Sequence, residues 1–160
     1  TRSVRDALAA LTRERIALPI IADSRRGLAG WPPLIWKMNR QELAKLSDPE
    51  QDVHAQARHL ARAHGRPAFI TLAEDGMIGA APDGGVWHQP ALPVDGEIDV
   101  VGAGDAVTAN LTAALAAGAS VDEALQLASA AASAVIHQLG TTGTATVDQL
   151  RERLRFIATT

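Results

Sequence analysis

The sequence has no cysteine among its 160 residues. This absence excludes a disulfide scaffold and a thiolate zinc site, and it fits a reducing compartment, so the cytoplasm is the expected location. The sequence also lacks any apolar run near the roughly 18 residues that a membrane-crossing helix needs. Its opening stretch, TRSVRDALAALTRERIALPI, is too charged for a secretory signal. We therefore expect no membrane segment.

The sequence also has no excess of basic over acidic residues. Lys and Arg number 15 against 18 Asp and Glu, which gives a formal charge of -3. No global basic field would attract nucleic acid or an anionic membrane, so neither is an expected partner. With 47% hydrophobic residues, the whole chain, 1–160, is predicted to form a single globular domain. The chain starts inside a predicted helix without an initiator Met, so we expect upstream residues to be missing from it.

Hydrophobic spacing predicts strands that alternate with helices along the chain. Such alternation is typical of a mostly parallel sheet with helices on both faces, and the Pro-Asp-Gly-Gly turn at 82–85 predicts an antiparallel edge hairpin. Helices are predicted over residues 3–15, 39–46, 104–117, 121–139 and 146–157. A further helix is predicted to begin at a start signal at 47–50 and to reach residue 64. Strands are predicted over residues 16–22, 34–38, 67–72, 77–81 and 86–88.

Side chains at several predicted helix ends match known capping patterns. Ser120 with Glu123, and Thr146 with Gln149, have the spacing of a capping box. Gly65 is expected to end the helix that reaches residue 64.

The most informative segment is DVVGAGD at 99–105, which leads directly into a predicted helix. Gly102, Ala103 and Gly104 leave the backbone bare where the chain turns into that helix. Their amides and that of Asp105 can converge on an anion, and the helix N-terminus adds partial positive charge. An anion hole for a phosphoryl group in transfer is therefore predicted, with Asp105 beside it as the base that accepts the proton of an attacking hydroxyl.

Two objections apply to this interpretation of Asp105. A carboxylate at a helix N-terminus is a weak base, although a loose phosphoryl-transfer transition state needs positioning more than base strength. The segment could also be only a tight strand-to-helix turn in which Asp105 offsets the helix dipole. The residues alone leave that second alternative open.

The segment DVVGAGDAV resembles the DTxGAGDxF signature of the PfkB, or ribokinase-like, carbohydrate kinases. Other segments resemble the family in the same order, over most of the chain. They are IADSR at 21–25, KMNRQEL at 37–43, ITLAEDGMIGAA at 70–81 and LAAGASVDEALQLASAAASAVIHQLGT at 115–141. The details DVxGAGD, LAAG, LGT and TVDQL are most similar to the heptose-phosphate kinases of ADP-heptose synthesis.

The resemblance implies a ribokinase-like three-layer α/β/α fold without its N-terminal half and lid. It implies an ATP-dependent kinase acting on a sugar or sugar phosphate, with Gly102, Ala103 and Gly104 as the anion hole and Asp105 as the base. It further implies the following cofactor contacts: Asn39 and Glu42 to Mg²⁺ through water, Asp99 near a monovalent cation such as K⁺, and Thr71, Gly76 and Ser129 lining the adenine and ribose cleft.

Plainer interpretations of some of these residues stay open. Asn39 and Glu42 have the spacing of an ordinary capping box, and Asp99 could be a turn residue at a strand end. The chain departs from the family pattern at Val100–Val101, where Thr is common, and it has Val107 for Phe, Ala73 for Gly and Ser129 for Asn. The missing half supplies most sugar contacts in the family, so we expect completion by that half or assembly as a homodimer.

Two other function classes compete with a kinase. A noncatalytic nucleotide-binding regulatory module, or an inactive kinase fragment, would keep the fold without turnover. A dinucleotide-dependent oxidoreductase is the poorest match, because GAGD lacks the full GxGxxG and its acidic ribose partner. His54, His59 and His64 recur at a spacing that scatters them around a helix, so no shared metal is expected. Trp31 and Trp36 are interpreted as packing residues.

Overall fold

The computed structural model describes residues 1–15, 17–47 and 50–159. Within it the chain forms two compact units. The first unit comprises Thr1–Leu72 and Ile78–Trp87, and the second comprises Ala73–Met77 and His88–Thr160.

Helices and strands alternate as the hydrophobic spacing predicts. Most boundaries fall within a few residues of their predicted positions. The exceptions are the first strand and the start of α3, described below, and the helix predicted to reach residue 139, which ends at Val135. The helices are α1 (Arg2–Glu14), α2 (Arg40–Leu43), α3 (Val53–His64), α4 (Ala103–Ala116), α5 (Val121–Val135) and α6 (Val147–Thr159). The strands are β1 (Ile21–Ala22), β2 (Ile35–Asn39), β3 (Ala68–Thr71), β4 (Met77–Ala80) and β5 (Val86–Gln89), with a 3-10 turn at Ala73–Asp75.

The strands form one sheet of five in the order β1-β2-β3-β4-β5. β1 pairs with β2 and β2 pairs with β3, both in parallel. β4 and β5 are neighbours joined by residues 81–85, where Ala81 N donates to Gly85 O at 2.9 Å, and so short a connection can join only antiparallel strands. The predicted α/β class, with its mostly parallel sheet and edge hairpin, is confirmed.

The first strand is much shorter than the predicted 16–22. Leu18 N donates to Arg15 O at 3.0 Å, so the chain turns there instead of extending, and pairing begins only at Ile21. Ile16 lies outside the described residues.

The first unit has a core on one face of the sheet. Trp36 and Met38 of β2 and Ala68 and Ile70 of β3 alternate toward it, because successive strand residues point to opposite faces. Small residues of α3, Ala57 and Ala61, are fully buried in the same core. The tryptophan interpretation is confirmed, since Trp36 belongs to this core and Trp31 packs against it.

The start of α3 differs from the prediction. Its N-cap is Asp52, whose Oδ2 accepts a hydrogen bond from Ala55 N at 3.0 Å. Ser47 instead donates to Leu43 O at 3.1 Å, which uses its hydroxyl to cover a carbonyl of the preceding helix. The predicted start signal also included Asp48 and Pro49, which lie outside the described residues. The predicted helix end is confirmed, because Gly65 is the C-cap in a left-handed conformation.

The second unit is built on α5, which packs against both α4 and α6. Alanines and serines make up much of its buried surface, and such small side chains let helices approach closely. The capping box at Ser120 and Glu123 is confirmed with both hydrogen bonds present. Thr146 and Gln149 make the same reciprocal bonds at the start of α6.

Candidate active site

The turn into α4 places Asp105 in the first turn of that helix. Gly102 is the N-cap, with φ of 83°, a left-handed conformation that favours glycine. The first bond within the helix runs from Ala106 N to Gly102 O at 2.9 Å, so the amides of residues 103–105 precede the helical ladder. Ala103 N already donates to Val100 O at 3.2 Å. An anion at this turn would therefore share the Ala103 amide with that carbonyl.

The side chain of Asp105 faces solvent. Gly104 and Asp105 are exposed, and Gly102 and Ala103 are partly exposed. Across the described ranges 1–15, 17–47 and 50–159, no hydrogen bond or ion pair engages the Asp105 carboxylate. A carboxylate with that freedom can accept a proton from a neighbouring hydroxyl.

Asp99 ties this turn to the loop that follows α5. Its Oδ1 accepts from Val101 N at 2.9 Å, and its Oδ2 accepts from Gly140 N at 3.1 Å. Its own amide donates to Ile136 O at 2.8 Å. Both carboxylate oxygens therefore accept hydrogen bonds from backbone amides, which agrees with the interpretation of Asp99 as a turn residue. The cation role stays a prediction.

The same two segments meet at Gly102. A Cβ built on Gly102 would lie 2.0 Å from Thr142 O, which is far inside van der Waals contact. The Thr142 carbonyl occupies the space that any larger residue at 102 would need. The glycine is thus required both for its backbone conformation and for this close approach.

Asn39 and Thr71 lie side by side at the carboxyl ends of β2 and β3, where they are register partners. Ligands bind outside the carboxyl ends of parallel strands in open α/β sheets, so this edge suits a nucleotide. Asn39 Oδ1 accepts from Glu42 N at 2.8 Å and Glu42 Oε2 accepts from Asn39 N at 2.9 Å, so the capping box is real. Glu42 Oε1 makes no hydrogen bond within the described part of the chain. Its contact with Mg²⁺ stays a prediction.

Sequence reasoning missed a partly buried ion pair near this edge. Lys37 Nζ contacts Asp23 Oδ2 at 2.5 Å, with side-chain exposures of 7% and 29%. Lys37 lies two residues before Asn39 in β2, so both side chains point to the same face of the strand. Lys37 is the central residue of β2, and its ammonium is held by Asp23, which follows the end of β1. The available signal was a lysine inside the apolar run 34–38.

Gly76 and Ser129 both lie in the second unit and are buried. A Cβ at Gly76 would lie 2.1 Å from Gln89 O, so this glycine permits a close backbone approach after β5. Ser129 lies in α5 and is only 5% exposed. The structure thus brings Asn39, Glu42 and Thr71 together in the first unit, and residues 99–105 together in the second.

No helix among the described residues is long and apolar enough to cross a membrane. No group of three or more His, Asp or Glu side chains there could hold a metal ion.

The fold and the turn at 99–105 define a carbohydrate kinase architecture. The chain belongs to the pfkB family of carbohydrate kinases, whose family model matches residues 24–148. Two curated proteins that it resembles in sequence carry the same name. It is 42% identical over 108 residues to the bifunctional protein HldE of Paramagnetospirillum magneticum, covering 64% of this chain and 22% of that protein.

A second relative extends the match. The bifunctional protein HldE of Rhodospirillum rubrum is 35% identical over 143 residues, which cover 82% of this chain and 28% of that protein. The chain therefore spans about a quarter of the length of these curated relatives. The predicted similarity to the heptose-phosphate kinase branch agrees with these matches.

Solved structures show the same fold. A putative ribokinase from Agrobacterium tumefaciens superposes with a TM-score of 0.81 and 21% identity, covering 99% of this chain and 54% of that one. Arabidopsis thaliana ribokinase complexed with ribose and ATP gives a TM-score of 0.80 and 22% identity, covering 98% and 53%. The ribokinase-like fold prediction is confirmed.

Proposed function

We propose that this chain is the nucleotide-binding and catalytic part of an ATP-dependent kinase that phosphorylates a hydroxyl of a sugar or sugar phosphate. The observation that carries the proposal is the exposed Asp105 carboxylate, without a partner in the described residues, in the first turn of α4 beside the amides of residues 102–104. Membership in the pfkB family supports the reaction class.

In the proposed step, the substrate hydroxyl oxygen forms a bond to the γ-phosphorus of ATP while the bond between that phosphorus and the ADP oxygen breaks. The hydroxyl proton passes to the Asp105 carboxylate. The backbone of Gly102, Ala103, Gly104 and Asp105, at the positive end of α4, stabilises the charge on the transferring group. Because the transition state is loose, Asp105 acts mainly by orienting the hydroxyl.

Other residues are proposed to hold the nucleotide and its cations. When bound, Mg²⁺ would neutralise phosphate charge, and Asn39 with Glu42 would hold it through water. Thr71, Gly76 and Ser129 are proposed to line the adenine and ribose cleft, and Asp99 to lie near a K⁺ ion. The Arabidopsis ribokinase structure with ribose and ATP supports ATP as the donor.

The acceptor is proposed from the curated relatives. The HldE matches favour a heptose phosphate among sugar phosphates. The rest of the sugar site would come from a preceding half of the same fold, or from a second subunit of a homodimer. We propose the cytoplasm as the location of the protein. Similar ribokinase chains are about twice as long as this one, which supports a preceding half.

The test compares the complete gene product with its Asp105→Asn variant for transfer of phosphate from ATP to a panel of sugars and sugar phosphates. We expect kcat to fall on the order of 10² to 10⁴-fold, because a positioned proton acceptor is removed. Asp148→Asn is the matched control, since Asp148 is an exposed aspartate in the first turn of α6. Equal activity of wild type and Asp105→Asn would show that the base is wrongly assigned.

A noncatalytic nucleotide-binding module is the second candidate. It is favoured by the bonds of the 99–105 turn, because both oxygens of the Asp99 carboxylate and the Ala103 amide already bond to backbone groups. Under this alternative the complete gene product would bind ATP but transfer no phosphate to any sugar in the panel.

A further inference from the structure

The side-chain amide of Gln138 closes the loop that follows α5. Its Nε2 donates to Thr144 O at 2.8 Å, and its Oε1 accepts from Thr144 N at 3.1 Å. Nε2 also lies 3.2 Å from Ala134 O, one turn back in α5. A single side chain therefore satisfies both backbone groups of Thr144 and anchors them to the end of the helix.

The loop packs closely over this anchor. Gly143 has φ of 63°, and a Cβ built on it would lie 3.0 Å from Val135 Cγ1 and 3.1 Å from Gln138 Oε1. There is little spare room between the loop and the last turn of α5. A shift of Thr144 would therefore move the backbone of residues 140–143 as well.

The loop that Gln138 closes is the one that contacts the turn before Asp105. Gly140 N donates to Asp99 Oδ2 at 3.1 Å, and Thr142 O fills the space beside Gly102. Gly140 and Thr142 both lie between Gln138 and Thr144, the two ends that the carboxamide holds together. The position of the 99–102 turn, which is also held by the bond from Asp99 N to Ile136 O, thus depends in part on a loop that one carboxamide closes.

We propose that Gln138 is a positioning residue for phosphoryl transfer, which acts by holding the 138–144 loop against the turn that presents Asp105. This inference rests on the proposed function. Gln138 itself touches no reacting atom in this scheme. A carboxamide is suited to the role because it donates to a carbonyl and accepts from an amide at the same time.

The test replaces Gln138 with Met in the complete gene product, because Met has a similar length but can make neither strong hydrogen bond. Gln126→Met is the matched control: Gln126 lies within α5, and its amide donates only to Asp122, at 3.1 Å, among the described residues. We expect kcat for Gln138→Met to fall on the order of 10- to 100-fold, since a small misplacement of catalytic groups is costly. KM for ATP and for the sugar should change less than about 2-fold, because the residues proposed to line the nucleotide cleft and to hold Mg²⁺ make no hydrogen bond to this loop within the described part of the chain.

A second measurement does not depend on activity. Amide hydrogen exchange at Gly140 and Thr144 should be faster in Gln138→Met than in wild type, and unchanged in Gln126→Met. If the two methionine variants match in kcat and in exchange, the positioning role is wrong. If Gln138→Met instead raises KM with kcat unchanged, the residue acts in binding and the proposal is overturned.

Failure of this inference is distinguishable from failure of the proposed function. An Asp105→Asn variant with full activity would overturn the assignment of the base itself. A strongly impaired Asp105→Asn variant beside a fully active Gln138→Met variant would overturn only the role of Gln138.

Discussion

Ala73 stands where the family pattern has a glycine, and its backbone has the left-handed conformation that favours glycine. Its φ is 55°, and no other non-glycine residue in the described part of the chain has positive φ. A side chain in this region of conformation is strained by roughly 1–2 kcal/mol. The sequence marked Ala73 as a departure, but it could not reveal whether the backbone would relax or keep the left-handed turn.

Ala73→Gly should therefore raise the free energy of unfolding, by up to about 1 kcal/mol after allowing for the greater flexibility of glycine in the unfolded chain. The measurement is denaturant unfolding of the full-length protein. Ala109→Gly is the control, because Ala109 is exposed within α4, and there the same change should lower stability by about 0.5–1 kcal/mol. A loss of stability in both variants would contradict a strained Ala73.

Gly102 permits a sharper comparison at the residue scale. Gly118, just past the end of α4, has φ of 87° and no atom within 4 Å of a built Cβ, whereas Gly102 has φ of 83° and the Thr142 carbonyl at 2.0 Å. Both Gly→Ala changes should introduce similar backbone strain, roughly 1–2 kcal/mol. Only Gly102→Ala must also displace the 140–143 loop.

We expect Gly102→Ala to lose phosphate transfer by more than about 100-fold while Gly118→Ala stays within about 3-fold of wild type. Steady-state kinetics of the two variants, with thermal unfolding alongside, makes the comparison. Similar kcat values for the two variants would mean that the loop contact has no bearing on catalysis.

At the scale of elements, α3 is joined to the sheet through a titratable contact. The His64 ring lies edge-on to Trp36 of β2, with centroids 3.9 Å apart and an interplanar angle of 80°. Burial lowers the pKa of His64 below its ordinary 6.5, and the neighbouring His59 lowers it further. The unfolded chain therefore takes up this proton at a higher pH than the folded protein does.

The stability of the protein should consequently fall as pH drops below about 6.5, the region where the unfolded state binds the proton first. Replacing His64 with Phe keeps an aromatic contact but removes the titration. Denaturant midpoints at about pH 7.5 and about pH 5.5 should differ less for His64→Phe than for wild type. An equal difference in the two proteins would contradict this contribution.

The boundaries of elements were predicted well where the signal is local. The capping boxes at Ser120 and Asn39 form as expected, because both partners lie within one turn of helix. The end of α5 was placed too late, since Ile136 to Leu139 are as apolar or helix-compatible as the preceding turns. After Val135 the chain turns, with Gln138 N donating to Val135 O at 2.9 Å, and the Gln138 side chain bonds to Thr144. Helical periodicity registers neither contact.

For the molecule as a whole, the order of motifs along the chain was enough to predict the fold and the family. The DVVGAGD segment also gave the candidate base, because its chemistry is contained in adjacent residues. The ties that hold this segment were not predictable, since Asp99 bonds to Gly140 and Gly102 meets Thr142 across some forty positions of sequence. Such contacts form only when the chain folds, so no local sequence pattern predicts them.

The ion pair between Lys37 and Asp23 has a consequence for how related sequences can vary. Lys37 is buried, whereas the Asp23 side chain is 29% exposed. Loss of Asp23 alone removes an ion-pair partner from a buried ammonium, which is more costly than loss of Lys37 from the more exposed carboxylate. A homologue that lacks the aspartate, 14 positions before the lysine, is therefore expected to lack the lysine as well.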